Sequence, residues 1–150
     1  MHPATPPSGV TEALEKGDLI TANALLGRPY RLTGLVIQGN QLGRTLGFPT
    51  ANLQTDPEVP FLLPTGVYAV RASAGGEWFP GMANAGFRPT LNGKDWTLEV
   101  HLIGFSGDLY GKKLEVDFIS RLRDERKFGS SGELAAQIRA DQQAALDLLT

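Results

Sequence analysis

From Trp96 to Ile103, apolar and polar residues alternate. Trp96, Leu98, Val100 and Leu102 fall on one face, Thr97, Glu99 and His101 on the other. A period of two is the signature of a half-buried strand. Residues 113–119 repeat it, with Leu114, Val116 and Phe118 inward and Glu115 and Asp117 outward. Further strand segments run over 30–38 (YRLTGLVIQ) and 66–74 (GVYAVRASA), the latter opened by Pro64-Thr65-Gly66. Gly75-Gly76 is a turn signal, and residues 77–84 read as the return strand of a hairpin.

Helical signals sit at the two ends. Residues 11–27 predict two short helical turns or one broken helix, with Asp18 as N-cap of the second piece and Gly27 as its stop. Arg28-Pro29 then forces extended backbone. Ser130-Ser131-Gly132-Glu133 offers a capping box, after which Leu134, Ile138, Ala145 and Leu149 fall along one helical face. The 18 glycines and 10 prolines, spread mostly over residues 27–132, suit short strands joined by turns. Five or six antiparallel strands and one capping helix make a mostly-β chain, a small Greek-key barrel. The expected organisation is a disordered N-terminus over 1–10, a helical connector over 11–29 and one domain over 30–150.

Composition narrows the chemistry. The chain of 150 residues has no cysteine, which excludes disulfides, thiolate zinc sites, cysteine-held clusters and thiol nucleophiles. Its two histidines, His2 and His101, exclude a three-histidine metal site and leave acid–base work mainly to Asp and Glu. A net charge of −2 argues against bulk attraction to nucleic acid or to an anionic membrane. The sequence has neither a long apolar run for a transmembrane helix nor a signal peptide, so the expected location is cytoplasmic.

Residues 34–52, GLVIQGNQLGRTLGFPTAN, carry the chemistry. Glycines at 34, 39, 43 and 47 interrupt what begins as a strand, and no Asp or Glu occurs from Arg31 to Thr55. An acid-free, glycine-rich loop holding Arg44 suits a phosphate, through unobstructed N–H groups. It suits a plain flexible hairpin equally well. It is not a Walker A loop, because the glycine spacing is short and Arg stands where Lys is required. Thr50 and Asn52, two apart, share a face in extended backbone. A hydroxyl and an amide oxygen are hard ligands suited to Mg²⁺ already on ATP, although on their own these residues fit turn chemistry better.

The sequence resembles the riboflavin kinase (flavokinase) family, in particular the kinase half of bacterial bifunctional riboflavin kinase/FAD synthetases. The matching blocks stand in family order: GRTLGFPTANL at 43–53, LPTGVYAV at 63–70, ANAGFRPT at 83–90, LEVHL at 98–102, DLYGKKLEVDF at 108–118 and LRDERKF at 122–128. Residues 12–30 look like the connector that precedes the kinase half. One departure is Ala85, where the family usually has Ile; packing volume is lost and the polar positions are kept. The N-terminal FAD synthetase (adenylyltransferase) domain of the bifunctional enzymes has no room in ten residues; it is a partner domain missing from this chain, and FAD synthesis is not expected of the chain.

The resemblance implies a six-stranded antiparallel Greek-key barrel with a C-terminal helix. It implies ATP-dependent phosphorylation of the riboflavin 5′-hydroxyl, giving FMN and ADP. It assigns Thr50 and Asn52 to the magnesium–nucleotide complex and Gly39, Gly43 and Arg44 to a flap over the nucleotide phosphates. It assigns Glu99 as base toward the 5′-hydroxyl, and Arg123 and Phe128 to the flavin side. Read without it, Glu99 is an ordinary solvated strand residue, and the LRDERKF charges are a solvated face. A non-catalytic flavin- or nucleotide-binding module is the competing function, and a single-stranded nucleic-acid barrel a third that charge disfavours.

Overall fold

The computed structural model describes residues 9–37, 50–56, 58–91, 93–105 and 107–149. Of the N-terminus expected to be disordered over 1–10, residues 1–8 lie outside the described residues, as do Gly39, Gly43 and Arg44, whereas Gly9 caps the first helix and Val10 begins it as a buried residue. The elements are α1 (Val10–Glu15), α2 (Leu19–Leu26), β1 (Tyr30–Ile37), β2 (Ala51–Thr55), β3 (Gly66–Ala74), β4 (Glu77–Thr90), β5 (Gly93–Leu102), β6 (Lys113–Arg123) and α3 (Ser131–Leu149).

The six strands close into a barrel in the order β1-β2-β5-β4-β3-β6, every neighbouring pair antiparallel. The meander β3-β4-β5 is flanked by β6 beside β3 and by β2 beside β5. Each flank makes a Greek key, as expected from the sequence.

Register decides what lies inside. Leu32 faces Val116, Val70 faces Phe118, Ala83 faces Val100 and Leu53 faces Leu98. These side chains fill the interior. Beyond Phe79, β4 presents the small residues Gly81, Ala83 and Ala85 inward, and its neighbours supply the bulk there through Tyr68, Val70, Leu98 and Val100. Ala85 is therefore a barrel-interior position, and the volume it gives up leaves the outer polar row untouched.

β3 is buried on both faces. Tyr68, Val70 and Ala72 point into the barrel, whereas Ala69 packs outside with Met82, Ala145 and Leu149, beneath α3. Arg71 Nη2 donates to the Leu149 carbonyl at 3.0 Å, satisfying an end-of-helix acceptor. Gly66 is required where it stands: its φ is 153°, and a Cβ would meet the Arg123 carbonyl oxygen at 2.8 Å.

Both helical ends follow the sequence closely. Asp18 accepts from the Thr21 amide at 3.1 Å, and Gly27 closes α2 at a φ of 74°. Ser130 Oγ accepts from the Glu133 amide at 3.2 Å, but the Glu133 carboxylate reaches back to Gly129 rather than to Ser130. α1 and α2 share the barrel's core through Val10, Leu14, Leu19 and Ala22. Asn23 fixes them there, donating to the Phe118 carbonyl and accepting from the Tyr30 amide, each at 2.9 Å.

Two strand expectations need correction. β4 continues through Gly86 and Pro89 to Thr90, instead of ending at 84. Gly34 does not interrupt β1; it is an inward position pairing Leu114 and Thr55.

Candidate functional site

The outward positions of five strands form one row. Asn52 of β2 faces Glu99 of β5, and Glu99 faces Asn84 of β4. Asn84 faces Val67 of β3, which in turn faces Arg123 of β6. Directly opposed residues in antiparallel strands hold their side chains about 5 Å apart. A carboxylate therefore sits between two amides, and a guanidinium closes the far end.

A groove runs over this row. Thr50, Asn84, Glu99, His101 and Arg123 line it from the barrel side, Glu125, Arg126 and Phe128 from the strap joining β6 to α3, and Leu134, Ile138 and Asp141 from α3. The structure thus brings together Thr50, Glu99, Arg123 and Phe128 of the residues the sequence singled out, with Asn52 beside Glu99 in register. Gly39, Gly43 and Arg44 are outside the described residues.

Thr50 immediately precedes β2, and its Oγ1 is buried without a hydrogen-bond partner. A buried hydroxyl is costly unless something satisfies it. This orphaned oxygen, beside the Asn52 amide, suits a hard cation carried by a phosphate ligand. Among the described residues no cluster of three or more acidic or histidine side chains offers a metal site of its own.

Within LRDERKF, Asp124, Glu125, Arg126 and Lys127 are exposed, as the charge cluster suggests, while Arg123 and Phe128 are partly buried. Arg121 Nη2 donates to the Thr65 carbonyl at 2.6 Å, and its Nη1 pairs with Asp124 at 2.7 Å. Arg123 is held by Asp141. Phe128 lies against two guanidinium groups, Arg123 at 5.7 Å and Arg126 at 4.8 Å from its ring centre. Arg31, near the acid-free stretch, is committed elsewhere. It pairs with Asp117 at 2.6 Å and Glu115 at 2.9 Å, and lies over Trp78. Asp117 holds its guanidinium pKa above the ordinary arginine value.

Sequence reasoning did not assign roles to Asn84, Glu125, Arg126, Gln137 or Asp141. One signal was available for Asp141. It falls on the apolar face of α3 between Ile138 and Ala145, where a carboxylate needs a buried cation.

Residues 26–149 match the family described as flavokinase, riboflavin kinase. A bifunctional riboflavin kinase/FMN adenylyltransferase of Haemophilus influenzae is 48% identical over 92% of this chain, which spans 44% of that relative's length. Among solved structures, a Streptococcus pneumoniae protein described as a macrolide-efflux protein superposes with a TM-score of 0.87 at 33% identity, over 95% of this chain and 47% of the other. A riboflavin kinase from Trypanosoma brucei superposes with a TM-score of 0.59 at 27% identity, over 81% of this chain and 77% of the other. Among the described residues, no helix is long and apolar enough to cross a membrane. With the barrel, the outward row and a family match over most of its length, the chain belongs to the riboflavin kinase family.

Proposed function

We propose that the chain transfers the γ-phosphoryl group of ATP to the 5′-hydroxyl of riboflavin, producing FMN and ADP, and that it corresponds to the kinase half of its bifunctional relatives. The supporting observation is the row Asn52–Glu99–Asn84–Val67–Arg123, of which Glu99, Asn84, Val67 and Arg123 line one groove. Three strand-to-strand steps separate Glu99 from Arg123, a span of about 14 Å at the usual spacing. That length suits riboflavin laid across the strands, with its ring system at Arg123 and Phe128 and its ribityl end at Glu99.

In this reading Glu99 accepts the proton of the attacking hydroxyl, and the neighbouring amides hold the sugar chain and the carboxylate in line. Alcohol attack on a γ-phosphoryl group depends mainly on positioning and on stabilising charge. Thr50 and Asn52 would hold Mg²⁺ with the nucleotide, the hydroxyl oxygen gaining the partner it otherwise lacks. Mg²⁺ there would neutralise charge developing on the phosphate oxygens. Gly39, Gly43 and Arg44 are assigned to the nucleotide phosphates by family likeness. Arg123 and Phe128 present a cation-flanked aromatic surface to the flavin.

The test is to incubate the chain with ATP, Mg²⁺ and riboflavin and to separate the flavins. FMN and ADP in equal amounts, without FAD, are expected. Flavin binding with no FMN formed would replace the kinase with a binding module.

A further inference from the structure

The buried carboxylate of α3 has no place in the chemistry so far. Asp141 accepts from Arg123 Nε at 2.9 Å and 3.1 Å, and from Arg123 Nη2 at 2.8 Å. Its side chain is only 7% exposed and that of Arg123 20%. Gln137, one turn earlier, donates to Asp141 Oδ1 at 2.9 Å and accepts from Arg126 Nη1 at 3.3 Å. The chain Arg126–Gln137–Asp141–Arg123 therefore ties the strap and the end of β6 to one face of the helix.

Of the five N–H groups on Arg123, Nε and one on Nη2 go to Asp141 and one on Nη1 goes to the Asp124 carbonyl. One N–H on each terminal nitrogen is left without an acceptor among the described residues. Arg123 lines the groove. A side-on bidentate carboxylate fixes the plane of a guanidinium as well as its position.

We propose that Asp141, steadied by Gln137, is a positioning residue: it sets the Arg123 guanidinium so that its two remaining N–H groups recognise a carbonyl edge of the flavin ring. This rests on the riboflavin kinase reading above. The helix thus governs flavin affinity and leaves the nucleotide end at Asn52, four strand-to-strand steps along the row, unaffected. A purely architectural ion pair would instead lower stability and affect both substrates alike.

Steady-state kinetics separates these outcomes. Turnover of riboflavin by the unaltered chain is measured first; none would overturn the kinase reading and the positioning role with it. Given turnover, Asp141→Asn should raise the riboflavin KM about tenfold, the scale of a lost charge-assisted contact, with kcat within about threefold and the ATP KM unchanged. Arg123→Gln should do the same. The double variant should be no worse than Arg123→Gln alone, because both substitutions remove one coupled contact. A riboflavin KM for Asp141→Asn within about twofold of the unaltered chain, or multiplicative effects in the double variant, would overturn the positioning role alone. If Asp141→Asn does not fold, Gln137→Leu takes its place: a rise of about threefold in riboflavin KM at unchanged ATP KM supports the role, and no rise overturns it.

Discussion

One methyl group, added at either of two glycines of β4, separates the duties of the barrel from those of the strap. An ideal Cβ on Gly81 would stand 2.6 Å from the His101 carbonyl oxygen, a backbone atom of the neighbouring strand. An ordinary contact begins near 3.4 Å, so β4 and β5 would have to separate by close to the difference. Overpacking of this kind costs about 1–3 kcal/mol, or a fall in Tm of about 2–12 °C for a domain of this size. On Gly86 the clash looks as severe, 2.5 Å, but the atom met is Glu125 Oε1, the far end of a flexible side chain. That carboxylate can swing aside, so Gly86→Ala should shift Tm by less than about 2 °C. What it displaces is the seat of the strap on the groove, and riboflavin KM should rise about two- to fivefold, a fraction of one hydrogen bond's worth. Thermal unfolding followed by circular dichroism, then riboflavin kinetics, reads both variants. Equal loss of Tm in the two, or a Gly81→Ala chain that melts with the unaltered one, would refute the distinction between a backbone and a side-chain obstacle.

Glu99→Gln keeps size and shape but removes the proton acceptor; turnover should fall about a hundredfold with little change in either KM, and near-normal turnover with chemistry rate-limiting would remove Glu99 from the catalytic role. Thr50→Val replaces a buried, unpartnered hydroxyl by a methyl group. The ligand-free chain should melt no lower than before, while the stabilisation given by MgADP, about 2.7 kcal/mol at 100 times Kd, should shrink; full retention in a thermal-shift titration would dissociate Thr50 from the nucleotide. Burial holds the Tyr30 and Tyr68 phenols above the ordinary tyrosine value. A phenol with a raised folded-state pKa contributes stability that is intact below about pH 10 and is lost as pH climbs through the folded value. Tm should therefore decline above about pH 10. Tyr68→Phe should flatten that decline, after an initial loss of about 1 kcal/mol with the 2.6 Å bond to the Pro64 carbonyl; an unchanged alkaline slope would exclude Tyr68 as its source.

How much of this was legible in the sequence depends on how many faces an element shows to water. β5 and β6 alternate because one face of each is wet or polar, and their inward sets are those of the structure. β3 is dry on both sides, so its run of small and apolar residues identifies a strand without saying which face meets α3. β4 runs on past 84 through a glycine and a proline, residue types that local pattern does not extend a strand across; at Gly86 the Glu125 side chain occupies the space a Cβ would take. Of the candidate site, the residues carried by local motifs were found. Those whose roles depend on distant partners were not: Arg31 is a bare positive charge until Asp117 is seen beside it, and Asp141 looks like a flaw in an apolar stripe until Arg123 is placed against it.

The row of outward residues also constrains how such chains can change length. Side chains alternate with a period of two, so inserting or deleting one residue inside β5 would drive Glu99 into the barrel and expel Leu98 or Val100 in the same stroke. Core and groove would fail together, and no single substitution elsewhere restores both. Length variation that preserves the groove must therefore gather in the connections between strands, or come in pairs of residues absorbed as bulges. A closed barrel with its groove on the outer wall is in this sense a reading frame: the strands tolerate substitution, and the frame tolerates no shift.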